Sequence, residues 1–445
     1  MNLFKKSLAV ALIAALAGVA AGLGSSSSSA SAQKSTTLNL WYLGDEEAPG
    51  FQAWMADTVS AYEKLHPSVK IVTTIEDVNN YIPIQNAACK AQNGPDIWYD
   101  WGGNFALEQA WNGCTVPDES VWSKSEISHL SNLGESTWEG KHWLFPQLLI
   151  VFPIVYNKRL FKEAGLDPNH PPQTYPELLA AVRQLKAHGI TPISIGLKDG
   201  YGGETVSVSY QKQVFANYDQ LKQLDLTGDF ATDPRWLLWL TKLHELAPYF
   251  NNDADSRNQG DVETDFELGK SAITFGFNGI QPVMKAMEQQ HVPIGVMRFP
   301  AFTKLRYSTS FSTNSSGWAI TRWSPNKPAA AAFMAFMHTP AVLTDWYAKT
   351  YSFPADNRWS GAQANSDPLQ KQMLAWIRQN NALYTTDFIP VDLDLNGNFP
   401  VFQGIIGNKM TVQQAANLYE SVITHWRAEN PQEVQFIKEW IGSNP

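Results

Sequence analysis

Cysteine is almost absent from this chain: Cys89 and Cys114 are the two in 445 residues. Two cysteines cannot build a zinc site, and the nine histidines show no paired metal spacing, so no metal and no cofactor are expected. A basic surplus is missing as well. The formal charge is −9, which leaves little to displace counterions from a phosphate backbone and excludes nucleic acid as a partner. After residue 23 no apolar run is long enough to span a bilayer. Signatures of common enzymes are also lacking: there is no G-x-S-x-G elbow and no H-E-x-x-H helix. "LGKSA" (268–272) ends like a phosphate loop, but Thr264 stands where its first glycine is needed.

What is present is a globular composition, 44% hydrophobic and 17% charged, in a chain too long for one ordinary core. Two domains are the default. Aromatics are abundant, with 17 Trp, 15 Tyr and 22 Phe. Most must fill cores, and a surplus suits a ring-lined binding site. The first residues read as a targeting segment: Lys5 and Lys6, an apolar run from Leu8 to Leu23, a serine tract, then Ala30-Ser31-Ala32. Residues 1–32 are therefore expected to be a cleaved signal peptide, with the mature chain starting near Gln33. No cysteine stands at the cleavage region to take a lipid anchor. Export implies an oxidising compartment, in which a Cys89–Cys114 disulfide is expected, the alternative being two separate buried thiols.

Periodicity organises the rest. "LNLWYL" has strand composition, and Phe51, Trp54, Met55, Thr58, Val59, Tyr62 and Leu65 mark one face of a helix that His66-Pro67 ends. "VKIVTTI" and "DIWY" are further strands, with a helix between them over about 83–92. Later segments repeat the alternation. Thr174 with Glu177, and Thr411 with Gln414, are capping patterns opening helices. Strand–helix–strand order predicts an α/β fold with mostly parallel sheets, whose ligands sit beyond the carboxyl ends of strands. "NGPDIWYDWGGN" (93–104) is such an end, placing Asp100 and Trp101 before two glycines. Asp45, Glu46 and Glu47 follow the first strand in the same way.

The segments "LNLWYLGDEE", "AYEKLHPSVKIV", "GPDIWYDW", "FPIVYNKRLFKEAGL" with "PPQTYPELL", "FELGKSAITFGFNG", "SSGWAITRWSPNKPAAAAFMAFM" and "YSFPA" occur in an order that resembles the extracellular solute-binding proteins of ABC importers. The resemblance spans nearly the whole mature chain and is to the sugar-binding branch that includes the maltose-binding protein family. It implies a two-lobed periplasmic-binding-protein fold with a hinge and a ligand cleft between the lobes. The first lobe would hold 33–150 and 315–352, and the second 151–314 and 353–445. Crossings are expected near 149–153, 313–316 and after 351–354. The implied role is to capture a sugar, expected to be an oligosaccharide, and deliver it to membrane permease subunits whose ATPase is a separate chain. The protein would act as a monomer without covalent chemistry.

A flat ring buries the apolar face of a sugar, while carboxylates and amides take its hydroxyls. At the places that the resemblance implies line the cleft or the crossings, the residues of these types, and so the candidate ligand contacts, are Asp45, Glu46, Glu47, Asp100, Trp101, Gln147, Tyr201, Asn278, Trp318 and Tyr351. Each has a plainer reading. Asp45 could serve as a cap or turn carboxylate. Glu46 and Glu47 could be a solvated charge run. Asn278 could belong to an Asn-Gly turn, and Trp318 could pack the hinge. Asn278 stands where many relatives carry tryptophan, so the sugar preference of well-known members is not carried over. Trp98 and Tyr99 are expected to be core. The competing functions are a secreted glycoside hydrolase, which would also use paired acids, and a binder of a non-sugar solute such as a polyol phosphate or an iron complex.

Overall fold

The computed structural model describes residues 35–277 and 280–442; the expected signal peptide and Asn278 lie outside these. Its strands, in chain order, are β1 (Thr36–Tyr42), β2 (Val69–Ile75), β3 (Ile97–Trp101), β4 (Thr137–Trp138), β5 (Lys141–His142), β6 (Phe145–Val151), β7 (Ile154–Asn157), β8 (Thr191–Ser194), β9 (Ser271–Phe275), β10 (Ile294–Met297), β11 (Phe311–Ile320), β12 (Phe353–Pro354) and β13 (Asn381–Leu383). They form a seven-stranded sheet in the order β12-β6-β11-β3-β1-β2, with β13 also on β11, a four-stranded sheet β10-β7-β9-β8, and the small β4-β5 pair. Helices cover both sheets, giving the α/β class expected.

The first three strands run parallel, joined by helices Phe51–Leu65 and Tyr81–Ala91. The helix Phe51–Leu65 buries Phe51, Trp54, Met55, Thr58 and Tyr62, the stripe that the spacing predicts. Parallel order then stops. β11 runs antiparallel to both β3 and β6, and β12 antiparallel to β6. In the smaller sheet β8 and β9 alone are parallel. The sequence pattern overestimates parallelism because β11 returns from the far sheet. A strand that re-enters a sheet after a long excursion can run in either direction, and no local signal records which.

The chain leaves the large sheet between β6 and β7 and re-enters it at β11, after residues 298–310. Residues 313–316, expected at a crossing, lie inside β11. There Ser312, Thr313, Asn314, Ser315 and Ser316 are all buried, five polar side chains in a row. Burial of such groups requires partners. Lys212 Nζ donates to Ser312 Oγ at 2.8 Å, Asn132 Nδ2 to Thr313 Oγ1 at 3.0 Å, and Asn314 Nδ2 to Asp387 Oδ1 at 3.2 Å. Both capping patterns fold into capping boxes, at Thr174 with Glu177 and at Thr411 with Gln414. Cys89 and Cys114 form the expected disulfide.

Candidate functional site

β1 ends in a short 3-10 turn, Gly44–Glu46, and β3 ends at Trp101 beside it, because the two strands are paired neighbours. The three acids of the turn diverge. Asp45 is exposed and its Oδ1 accepts the Gln52 amide at 2.8 Å. Glu46 is exposed and accepts the Val78 amide at 2.9 Å. Both brace the turn. Glu47 points inward, 5% exposed; Tyr99 Oη donates to its Oε1 at 3.0 Å and Trp101 Nε1 to its Oε2 at 3.1 Å. The Ser316 hydroxyl faces the same carboxyl. Burial raises the Glu47 pKa, and these hydrogen bonds partly offset the rise.

The Trp101 ring is half-buried, with Tyr81 edge-on at 6.0 Å and Phe105 at 5.6 Å. Its indole N–H is fixed by Glu47, so a partly open aromatic face is held in place at a strand's carboxyl end. Asp100 is 1% exposed, and strand alternation turns it away from Tyr99 and Trp101. One of its oxygens accepts the Trp101 amide at 3.0 Å, and burial pushes its pKa up to about 8. A neutral, enclosed Asp100 does not fit the ligand contact expected of it.

Two further expectations are corrected. Trp318 is completely buried, wedged against Tyr99 (5.1 Å) and Phe51 (5.9 Å) in the core beneath the large sheet. A ring with no open face cannot stack on a ligand. Gln147, also completely buried, accepts the Trp318 indole N–H at 3.1 Å, so it orients that ring. β6 and β11 are interior strands, and every residue on them is enclosed from both sides. Tyr351 is half-buried at a helix C-terminus, in left-handed conformation (φ 56°), beside Tyr347. It serves as a helix stop there.

Beyond β8 and β9 stands a second acid–aromatic group. Tyr201 is half-buried, hydrogen-bonded to Asp199, with its ring 6.0 Å from Phe277. Glu204, three residues on, accepts the Tyr384 hydroxyl and bonds to Asp394. Asn398 Nδ2 donates to Asp394 Oδ1 at 2.7 Å. Burial and the neighbouring Asp394 carboxyl raise the Glu204 pKa, and Asp394 itself rises to about 6. Phe152, in the link between β6 and β7, lies 4.8 Å from Tyr384 and 5.8 Å from Phe277. Trp101, Phe152, Phe277 and Tyr384 all belong to one continuous apolar cluster.

Sequence reasoning missed Glu204, Tyr384, Asp394 and Asn398. The dense polar run "DLDLNGN" (392–398), whose residues Asp394–Asn398 fold as a short π-helical turn, is a signal for Asp394 and Asn398; nothing local marks Glu204 or Tyr384. Such a turn is often found at functional sites.

Two sheets of α/β character, linked through β6–β7 and β11, with acids and rings at strand ends, define a two-lobed solute-binding protein. The sequence pattern of the bacterial extracellular solute-binding proteins matches residues 44–343, and the chain belongs to that family. It is 23% identical over 364 residues to the sn-glycerol-3-phosphate-binding periplasmic protein UgpB of Pectobacterium atrosepticum, covering 73% of this chain and 74% of that one. The match to the protein of that name from Yersinia pseudotuberculosis, 24% identical over 211 residues, covers 45% of this chain and only 46% of the relative. Among solved structures, a chitin oligosaccharide binding protein superposes with a TM-score of 0.74 at 19% identity, covering 89% of this chain and 100% of that one. A protein with mannotriose bound gives 0.69 at 20% identity, covering 87% and 100%.

Proposed function

We propose that this chain is the substrate-binding subunit of an ABC importer that captures a neutral sugar, an oligosaccharide in particular, and hands it to membrane permease subunits. The observation that carries this reading is the Glu47–Tyr99–Trp101 group, a partly open indole face with its N–H fixed by a buried carboxyl. The ring would cover a sugar face, and the acids would accept hydroxyl protons. Glu204, Asp394 and Tyr384 would supply the opposing wall, and Tyr201 the lip. The lobes expected from the sequence, 33–150 with 315–352 and 151–314 with 353–445, would close on the guest because only the closed form touches it from both sides. Asp45 and Glu46 would contribute by fixing the turn that aims Glu47.

Relatives named for sn-glycerol-3-phosphate raise a second reading. An anionic phosphate calls for arginine, lysine or helix-terminal amides. The groups that perturb Glu47, Glu204 and Asp394 are instead hydroxyl, indole, amide and carboxyl groups. This favours an uncharged polyol over an anion. Family members are binding proteins, and the reading requires no covalent step. Delivery from a periplasmic or secreted location, by a monomer freed of its signal peptide, completes the proposal. Among the described residues no helix is long and apolar enough to cross a membrane.

The test is a thermal-shift panel containing chitotriose, mannotriose, xylotriose, galactose and sn-glycerol-3-phosphate. Binding to the native state alone raises the melting temperature by mass action. A shift with an oligosaccharide, abolished by Trp101→Ala, supports the reading. A shift with the phosphate ester alone rejects it, as does steady hydrolysis of any oligosaccharide in the panel.

A further inference from the structure

Behind Gly102 and Gly103 lies an acid pair that the binding reading does not use. Glu135 and Asp387 are both 0% exposed and lie close enough that each perturbs the other. Adjacent residues of β11 hold them: Glu135 Oε1 accepts the Ser315 amide at 2.8 Å and the Ser315 hydroxyl, while Asp387 Oδ1 accepts Asn314 Nδ2 at 3.2 Å. Both acids press on the backbone that follows Trp101. A Cβ at Gly102 would sit 2.4 Å from Glu135 Oε1, and one at Gly103 would sit 2.1 Å from Asp387 Cβ. The Gly102 amide donates to Ser315 O at 2.8 Å and the Gly103 amide to Ser136 Oγ at 3.0 Å. The pair, β11 and the glycines thus form one seam, one residue away from the candidate ring.

We propose that Glu135 and Asp387 are a positioning pair: sharing one proton, they hold Gly102 and Gly103, and through them orient Trp101 for the ligand. The ligand part of this inference rests on the function proposed above. Two enclosed carboxyls in contact cannot both ionise without strong repulsion. Burial takes Glu135 up to about 8, and burial with the Glu135 charge holds Asp387 well above the usual carboxylate range. The other charged groups around the pair strengthen the demand for a proton. Glu204 and Asp394 face Asp387 and raise it, the Tyr218 phenol feels both acids, and Glu108 follows on the helix that Gly103 opens. The nearby cations are engaged elsewhere: Lys222 with Asp219 and Trp440 O, and Lys212 with Ser310 O and Ser312 Oγ. Loss of the shared proton then drives the acids apart and releases the glycine backbone.

The experiment follows amide hydrogen exchange at Gly102 and Gly103 in the whole protein without ligand, as protection factors from pH 6 to 9.5. In the native protein protection is expected to fall about tenfold per pH unit from pH 6 towards about 8 and to level off above it, one proton being coupled. Asp387→Asn, which keeps a neutral hydrogen-bonding group, is expected to stay protected throughout; Asp387→Ala is expected to be unprotected throughout. Glu135→Gln replaces Asp387→Asn if the latter does not fold. Protection that does not change with pH in the native protein, or a neutral variant that titrates like it, overturns the proposal. In parallel, the Kd for whichever trisaccharide of the panel binds at pH 6 is expected to rise with pH in the native protein and to stay level in Asp387→Asn. If no sugar binds at pH 6, the function proposed above fails, and the exchange titration still decides the pair.

Discussion

Trp101 and Trp318 show how far residue type is from residue role. Both follow a polar or glycine-bearing stretch, and both are large rings on strands of the same sheet. Trp101 is at the last position of β3, where the sheet no longer covers it, and remains half-buried. Trp318 sits near the end of β11 but is paired on both sides, with Tyr99 of β3 and Phe145 of β6, and has no exposure. Their substitutions should therefore differ in kind. Trp101→Ala is expected to abolish the ligand-induced thermal shift with little change in the unliganded melting temperature. Trp318→Ala is expected to lower unfolding free energy by about 3–5 kcal/mol through a core cavity, measured by urea denaturation. Glu47→Gln keeps an acceptor oxygen but removes the charge that strengthens its hydrogen bonds. It should weaken sugar binding by about 1–2 kcal/mol, roughly five- to thirtyfold in Kd, measured by calorimetry.

At the level of elements, local signals proved dependable where the physics is local. The capping boxes at Thr174 and Thr411 fold where the S/T-x-x-E/Q spacing places them, since each bond spans three residues. Thr174→Ala is expected to cost about 1 kcal/mol, read from the denaturation midpoint. The disulfide joins the helix Tyr81–Ala91 to Cys114, just beyond the helix Asn104–Trp111, across a separation of 25 residues. Replacing both cysteines by alanine should lower stability by about 3 kcal/mol on the chain-entropy account, checked by calorimetric melting. Strand direction was less legible. The parallel β1-β2-β3 unit follows from its crossover helices, whereas the antiparallel placing of β11 and β12 depends on where a distant segment returns.

Across the whole molecule, enclosed acids set the response to pH. Asp100, Glu135 and Glu263 are each pushed up to about 8 by burial. A carboxyl whose folded pKa lies above its unfolded value of about 4 makes the native state bind more protons, so stability falls as pH rises from about 4 towards 8 and then levels. Asp356 acts oppositely. Held down to about 2, against its burial, by His338 and Arg358, it stabilises above about pH 4, and that contribution fades as pH drops towards 2. The combined expectation is a stability optimum on the acid side of neutrality, near pH 4–6. Denaturant midpoints at pH 5 and pH 8.5 check this, with the lower value expected at pH 8.5.

The sequence by itself determined the α/β class, the position of most helices and strands, and the resemblance to solute-binding proteins. It also singled out the ends of β1 and β3 as the place to look. Hydrophobic period, caps and segment order are properties of neighbouring residues, and neighbours are what a sequence records. Tertiary structure alone decided which of Asp45, Glu46 and Glu47 turns inward, that Asp100, Gln147 and Trp318 are enclosed, and that Glu204, Tyr384, Asp387 and Asp394 join the seam between the sheets. Those outcomes depend on what packs against each side chain from hundreds of residues away. A carboxyl that meets water and one that meets another buried carboxyl are written with the same letter.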